Sequence, residues 1–135
     1  MNFDELAVGQ TAEYSKAISG SDIAMFAAVT GDFNPVHMDE EAAAKTRFGG
    51  RIAHGMISAG LISAAIASRL PGEGSIYLGQ TLKFTAPVRI GDTITVSLCI
   101  LELMTKKRVR LSTTCRNQNA ETVVEGEATI LMVDR

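Results

Sequence analysis

Residues 52–68 read Ile52-Ala53-His54-Gly55-Met56-Ile57-Ser58-Ala59-Gly60-Leu61-Ile62-Ser63-Ala64-Ala65-Ile66-Ala67-Ser68, with no Asp, Glu, Lys or Arg between Arg51 and Arg69. The run is at the bottom of the length range that spans a bilayer. It also carries His54, two glycines and three serines, which argues against a lipid environment. A helix over about Gly55–Arg69, closed by Pro71-Gly72, that is small and apolar on most sides is a buried core helix. No membrane association is expected. Such a helix needs cover, and the fold turns on what covers it.

The cover lies downstream. Ile76, Leu78, Leu82 and Phe84 alternate with Tyr77, Thr81, Lys83 and Thr85. Ile94, Val96, Leu98 and Ile100 alternate with Thr93, Thr95, Ser97 and Cys99. Val109, Leu111, Thr113 and Cys115 alternate with charged and hydroxyl residues, and Val124, Ala128, Ile130 and Met132 mark a last strand. Successive strand side chains point to opposite faces, so each run presents one apolar face. Lys106-Lys107 and Asn117–Ala120 are hairpin turns. Four sequential strands predict an antiparallel meander whose apolar face needs a covering layer. The Ala-, Gly- and Ser-rich helix supplies that layer. The predicted fold is α+β, a strongly curved antiparallel sheet around one central helix.

Upstream, Thr11–Ser19 reads as a strand. Ser21, as N-cap, and Asp22 open a helix to about Val29, which Gly31 stops. Asn34-Pro35 is a turn, and Asp39-Glu40-Glu41 start a short helix over 42–46.

The chain has 135 residues, consistent with one domain over residues 1–135. It is 46% hydrophobic and 21% charged, a globular balance. Net charge is -2, without the concentrated positive surface that nucleic acid requires. Lys106-Lys107-Arg108-x-Arg110 reads as a solvated hairpin rather than an anion site. Cys99 and Cys115 are too few for a disulfide scaffold and form no CxxC pair, so a reduced, cytoplasmic setting is expected. Met1-Asn2-Phe3-Asp4-Glu5 lacks a basic segment and an apolar core, so no secretory leader is expected there.

Chemistry concentrates in Asp32-Phe33-Asn34-Pro35-Val36-His37-Met38-Asp39. Asp32 and His37, five apart across a rigid Asn-Pro turn, can face one site and share one water. A carboxylate and an imidazole suit general acid–base work near neutral pH. Capping alone accounts equally well for Asp32 and Asn34; it does not account for His37, one of two histidines. The other, His54, precedes Gly55 at the head of the apolar helix. That position offers unpaired N–H groups and partial positive charge, suited to a developing oxyanion. The ordinary reading of His54 is a partly buried packing residue.

Several motifs fail. Residues 55–60 are not G-x-S-x-G. Asp32-x-Asn34 lacks the later oxygen ligand and glycine of a calcium loop. Gly72-x-Gly74 precedes a strand and is no dinucleotide fingerprint. A zinc site needs His37, His54 and a carboxylate to converge, and nothing in their spacing gathers them. No metal and no separate cofactor is expected.

Phe26-Ala27-Ala28-Val29-Thr30-Gly31-Asp32-Phe33-Asn34-Pro35-Val36-His37, with Ala43 six residues on, resembles the hydratase-2 signature of MaoC-like (R)-specific enoyl-CoA hydratases. His54-Gly55-Met56 resembles that family's central-helix start, and Pro87-Val88 with Gly91-Asp92 its strand corner. The length is similar to that of short members linked to polyhydroxyalkanoate synthesis. The resemblance implies a hotdog fold, a homodimer and an acyl-CoA substrate, with coenzyme A as part of the substrate. It implies reversible syn hydration of a trans-2-enoyl-CoA to the (R)-3-hydroxyacyl-CoA. It makes Asp32 and His37 the catalytic pair, with the roles of base and acid open between them. It makes Gly55 N–H the oxyanion donor and Asn34, Ser63 and His54 supporting residues. An acyl-carrier-protein dehydratase uses the same residues. A hotdog thioesterase does not need this motif, and a non-catalytic thioester-binding module does not need the pair.

Overall fold

The computed structural model describes residues 1–133. A short 3-10 turn, Phe3–Glu5, precedes β1 (Thr11–Ala17), α1 (Gly20–Thr30), α2 (Pro35–Met38), α3 (Glu40–Ala44) and α4 (Gly55–Ser68). Then follow β2 (Ser75–Gln80), β3 (Lys83–Phe84), β4 (Thr93–Met104), β5 (Arg108–Arg116) and β6 (Thr122–Met132).

The strands form one antiparallel sheet in the order β1-β4-β5-β6-β2, with β3 also on β6. β4, β5 and β6 form the expected meander. The first of the four predicted strands departs from it. Residues 75–84 split into β2 and β3 and pair with β6, the last strand, instead of lying beside β4. Intervening chain carries them to that far edge, a long-range choice that alternation does not encode.

α4 sits in the concave side of this sheet. Ser58, Leu61, Ile62, Ala65 and Ile66 form its buried stripe. Leu61, Ile62, Ala65 and Ile66 join one core cluster with Ile94, Val96, Leu98, Leu111, Ala128 and Ile130. The opposite face, with Met56, Gly60, Ser63 and Ala67, is exposed. At 100° per residue these recur on one side, so the sheet covers only part of a helix that is apolar nearly all round.

The start of α1 also differs from expectation. Ser19, not Ser21, is the N-cap. Its Oγ accepts Asp22 N–H at 3.1 Å, and Asp22 Oδ2 accepts Ser19 N–H at 2.9 Å, a reciprocal capping box. β1 accordingly ends at Ala17. The Ser19 N–H, with Lys16 behind it, holds the Asp22 carboxyl below its ordinary range. Gly31 ends α1 in the left-handed region, φ 82°, where glycine is at ease.

Candidate active site

The turn after α1 builds the site from short local bonds. Asp32 Oδ1 accepts Asn34 N–H at 3.2 Å, and Asn34 Oδ1 accepts Val36 N–H at 3.2 Å. Asn34 is the N-cap of α2 and Pro35 its first residue, the position where a missing N–H costs least. So both residues do cap the chain, and Asp32 keeps its second carboxylate oxygen outside that bond. α2 is one turn long and sets His37 three residues beyond Asn34.

Long-range bonds then fix the imidazole. His37 Nδ1 lies 2.8 Å from the Ile52 carbonyl. A carbonyl only accepts, so Nδ1 carries the proton and Nε2 presents its lone pair. Arg51 Nε donates to the His37 carbonyl at 2.6 Å, and Ile52 N–H donates to Val36 O at 3.1 Å. Ala53 N–H in turn donates to Val88 O at 2.7 Å. Segment 51–53 is thus a clamp between α2 and the chain before β4. Arg51 belongs to no motif of the sequence; its place directly before the uncharged run is its one signal there.

His54 is buried at the N-cap of α4. Its Nε2 donates to the Asp32 carbonyl at 2.9 Å. Its ring lies 4.1 Å, centroid to centroid, from the His37 ring and 4.7 Å from Phe26. One ligand-type atom each of Asp32, His37 and His54 lies within 4.8 Å of the others. The expectation that nothing gathers these three is therefore corrected. The capped turn and the 51–53 clamp bring together residues that lie 22 positions apart.

A cleft of about 440 Å³ opens beside them, with His37, Gly55, Met56, Ser58 and Phe84 in its wall. Gly55 begins α4, where N–H groups have no intrahelical acceptor. The Phe84 ring stands so close that a Cβ on Gly55 would meet it at 2.7 Å. Helix propensity alone therefore does not decide how Ala would fare at position 55.

Ser63 is not gathered with this group. Eight residues past Gly55, it lies roughly 80° round and about 12 Å along the helix, on the exposed face. The serine in the cleft wall is Ser58, three residues from Gly55 and buried; the i, i+3 spacing from Gly55 was its signal. Cys115 is buried, and burial pushes its thiol up to about 12, so it stays protonated and is no nucleophile.

The comparisons with known proteins meet this geometry. The family model for the MaoC-like domain matches residues 5–124. The chain belongs to the MaoC-like family. It is 48% identical over 134 residues to an (R)-specific enoyl-CoA hydratase of Rhodospirillum rubrum, covering 98% of this chain and 92% of that one. It is 50% identical over 129 residues to a 3-hydroxybutyryl-CoA dehydratase of Methylorubrum extorquens, covering 95% and 82%. Among solved structures, the R-hydratase PhaJ1 of Pseudomonas aeruginosa superposes with a TM-score of 0.95 at 54% identity, covering 99% of this chain and 86% of that one. The MaoC-like chain has the hotdog fold, its curved antiparallel sheet wrapped on α4.

Proposed function

We propose that this chain is an (R)-specific enoyl-CoA hydratase, a hydro-lyase that adds water reversibly and syn across a trans-2-enoyl-CoA. The observation that carries the reading is the convergence of the Asp32 carboxylate and the His37 ring beside a helix start at Gly55. The tautomer of His37 leaves Nε2 able to accept a proton, and Asp32 offers a second acceptor. Together they hold one water. One member takes its proton as the oxygen attacks C3, and a proton returns to C2 on the same face. Charge then gathers on the thioester oxygen, where Gly55 N–H and the positive end of α4 stabilise it. Asn34 supports the pair through the capped turn.

The substrate is an acyl-CoA, bound through the cleft. We place the enzyme in the cytoplasm on the strength of two free cysteines; no described helix is long and apolar enough to cross a membrane. A homodimer is supported by the sheet edge at β2, where Ile76, Tyr77 and Leu78 are exposed. Bare apolar edges are seldom left unpaired. The open face of α4 supports it further.

The test is hydration of crotonyl-CoA and longer trans-2-enoyl-CoAs, with chiral analysis of the product and an acyl-carrier-protein thioester as a second arm. The expected product is the (R)-alcohol, formed without added metal. An (S)-product, or loss of activity on chelation, overturns the mechanism. Asp32→Asn and His37→Gln are each expected to lower kcat by roughly 10²-fold or more while remaining folded, the scale of lost general acid–base help.

A further inference from the structure

His54 is a buried, titratable side chain to which the proposed reaction assigns no step. It is 2% exposed, and its two ring nitrogens have different surroundings. Nε2 reaches the Asp32 carbonyl, so the proton sits there. Nδ1 is buried with no hydrogen-bond partner among the described residues. A buried polar atom without a partner carries a free-energy cost. Phenylalanine or leucine would avoid that cost at a pure packing position, so packing alone does not explain a histidine here.

The other contacts of the ring show what the cost supports. The His54 ring meets two others, each at a tilt. Phe26, from α1, lies 4.7 Å away and His37, from α2, 4.1 Å away, centroid to centroid. The one N–H that His54 donates goes to the backbone of Asp32. Its own backbone opens α4 immediately before Gly55. One side chain therefore touches both members of the acid–base pair, and it is anchored where the oxyanion donor begins.

We infer that His54 is a positioning residue: its Nε2–H tethers the Asp32 carbonyl, and its ring braces His37, fixing the two groups relative to each other and to Gly55. It acts through Asp32 and His37 and touches no reacting atom. The inference rests on the hydratase reading for its catalytic consequence. Misplacing a catalytic group by about 1 Å can cost roughly 100-fold in rate, so the effect belongs in kcat more than in substrate affinity.

Two variants separate the tether from the ring. His54→Phe keeps a flat ring and loses the donor; because Nδ1 has no partner, it loses that one bond alone. His54→Gln keeps an N–H near the Nε2 position and loses the ring. For His54→Phe we expect kcat to fall about tenfold to hundredfold, with KM little changed and the thermal transition retained. His54→Gln is expected to recover part of that loss. A His54→Phe enzyme with normal kcat overturns the tether, and a His54→Gln enzyme with normal kcat overturns the brace.

A second readout needs neither variant nor activity. Long-range proton–nitrogen NMR on the unaltered protein is expected to show His54 with its proton on Nε2 and a bare Nδ1. A proton on Nδ1 overturns the tether even if both variants fail to fold. The two levels of failure remain distinct. If the unaltered protein hydrates no enoyl thioester, the functional reading falls. If it does so and both variants match it, the role of His54 alone falls.

Discussion

The meander β4–β6 and the edge segment 75–84 are built on the same period-two alternation and end in opposite environments. In the meander, Ile94, Val96, Leu98, Ile100, Val109, Leu111, Ala128 and Ile130 are all fully buried. In the edge segment, Ile76, Leu78 and Phe84 are 47%, 48% and 51% exposed. The difference comes from neighbours. β5 has a strand on each side and α4 beneath it, whereas β2 has β6 on one side and no described strand on the other. A bulge between Tyr77 and Gly79 also shifts the register, and each one-residue slip reverses which side chains face inward. Only beyond it does Leu82 pack against the core. Alternation thus reports that a segment is a strand; its burial depends on where strand order puts it.

The sharpest break of this comparison is Leu111→Ala. Leu111 is fully buried in the middle of the sheet, opposite Ile100 on β4 and Ala128 on β6. Removing its branched end leaves a cavity, and core Leu→Ala changes cost about 2–5 kcal/mol. A loss near 4 kcal/mol is expected in urea unfolding. A loss below about 1 kcal/mol, the range of an exposed site, would erase the contrast.

Next in size is Gly126→Ala, at the seam between the two regions. A Cβ there would stand 1.8 Å from the Thr81 carbonyl oxygen. That oxygen cannot easily give way, because Thr81 is bonded to β6 twice. Its N–H donates to Glu127 O at 2.9 Å, and its Oγ1 accepts Glu127 N–H at 2.9 Å. Overpacking of this kind typically costs 1–3 kcal/mol, and about 3 kcal/mol is expected here in the same measurement. A neutral change would show that the edge segment is not seated on β6 as described.

Legibility in the sequence follows the same divide. The meander was readable because Ile94–Ile100 and Val109–Cys115 are local patterns with one solution. The Asp32–His37 turn was readable because Asn34-Pro35 and Gly31 act on their nearest neighbours. The place of β2 was not readable, nor was the convergence of His54 with Asp32 and His37, since both depend on contacts between distant segments. Two further features do carry a local signal. Ser19 with Asp22 three residues on is a capping signature that Ser21 lacks, and Gly126 inside a strand marks close backbone approach.

A smaller effect joins the edge to the site. Phe84 leans over Gly55 from β3, yet its ring is half exposed. Ala at position 55 gains up to about 1 kcal/mol in helix propensity and loses part of it by displacing the ring. Stability of Gly55→Ala is therefore expected within about 1 kcal/mol of the unaltered protein, and higher in a Phe84→Ala background. If Gly55 N–H holds the oxyanion, the added Cβ crowds the thioester off that donor, and kcat falls about a hundredfold in both backgrounds. Full activity in either moves the oxyanion donor elsewhere.

The smallest effect is expected at the centre of the edge strand itself. Leu78→Ser removes as many apolar atoms as a core truncation would, and does so on β2 where Leu78 is nearly half exposed. In an isolated chain there is little burial to lose, so the change is expected to stay within about 0.5 kcal/mol, as for ordinary surface positions. An edge that pairs with a second copy behaves differently. Association adds stability in proportion to the logarithm of protein concentration, and Leu78 would then be covered only in the assembled form. The measurement is thermal unfolding of both proteins across a dilution series, with mass by light scattering at each concentration. The expected outcome is a Leu78→Ser protein whose deficit is absent at high dilution and grows as the unaltered protein assembles. A deficit of several kcal/mol that ignores concentration would place Leu78 in the core of the single chain, and the contrast between the two regions would be lost.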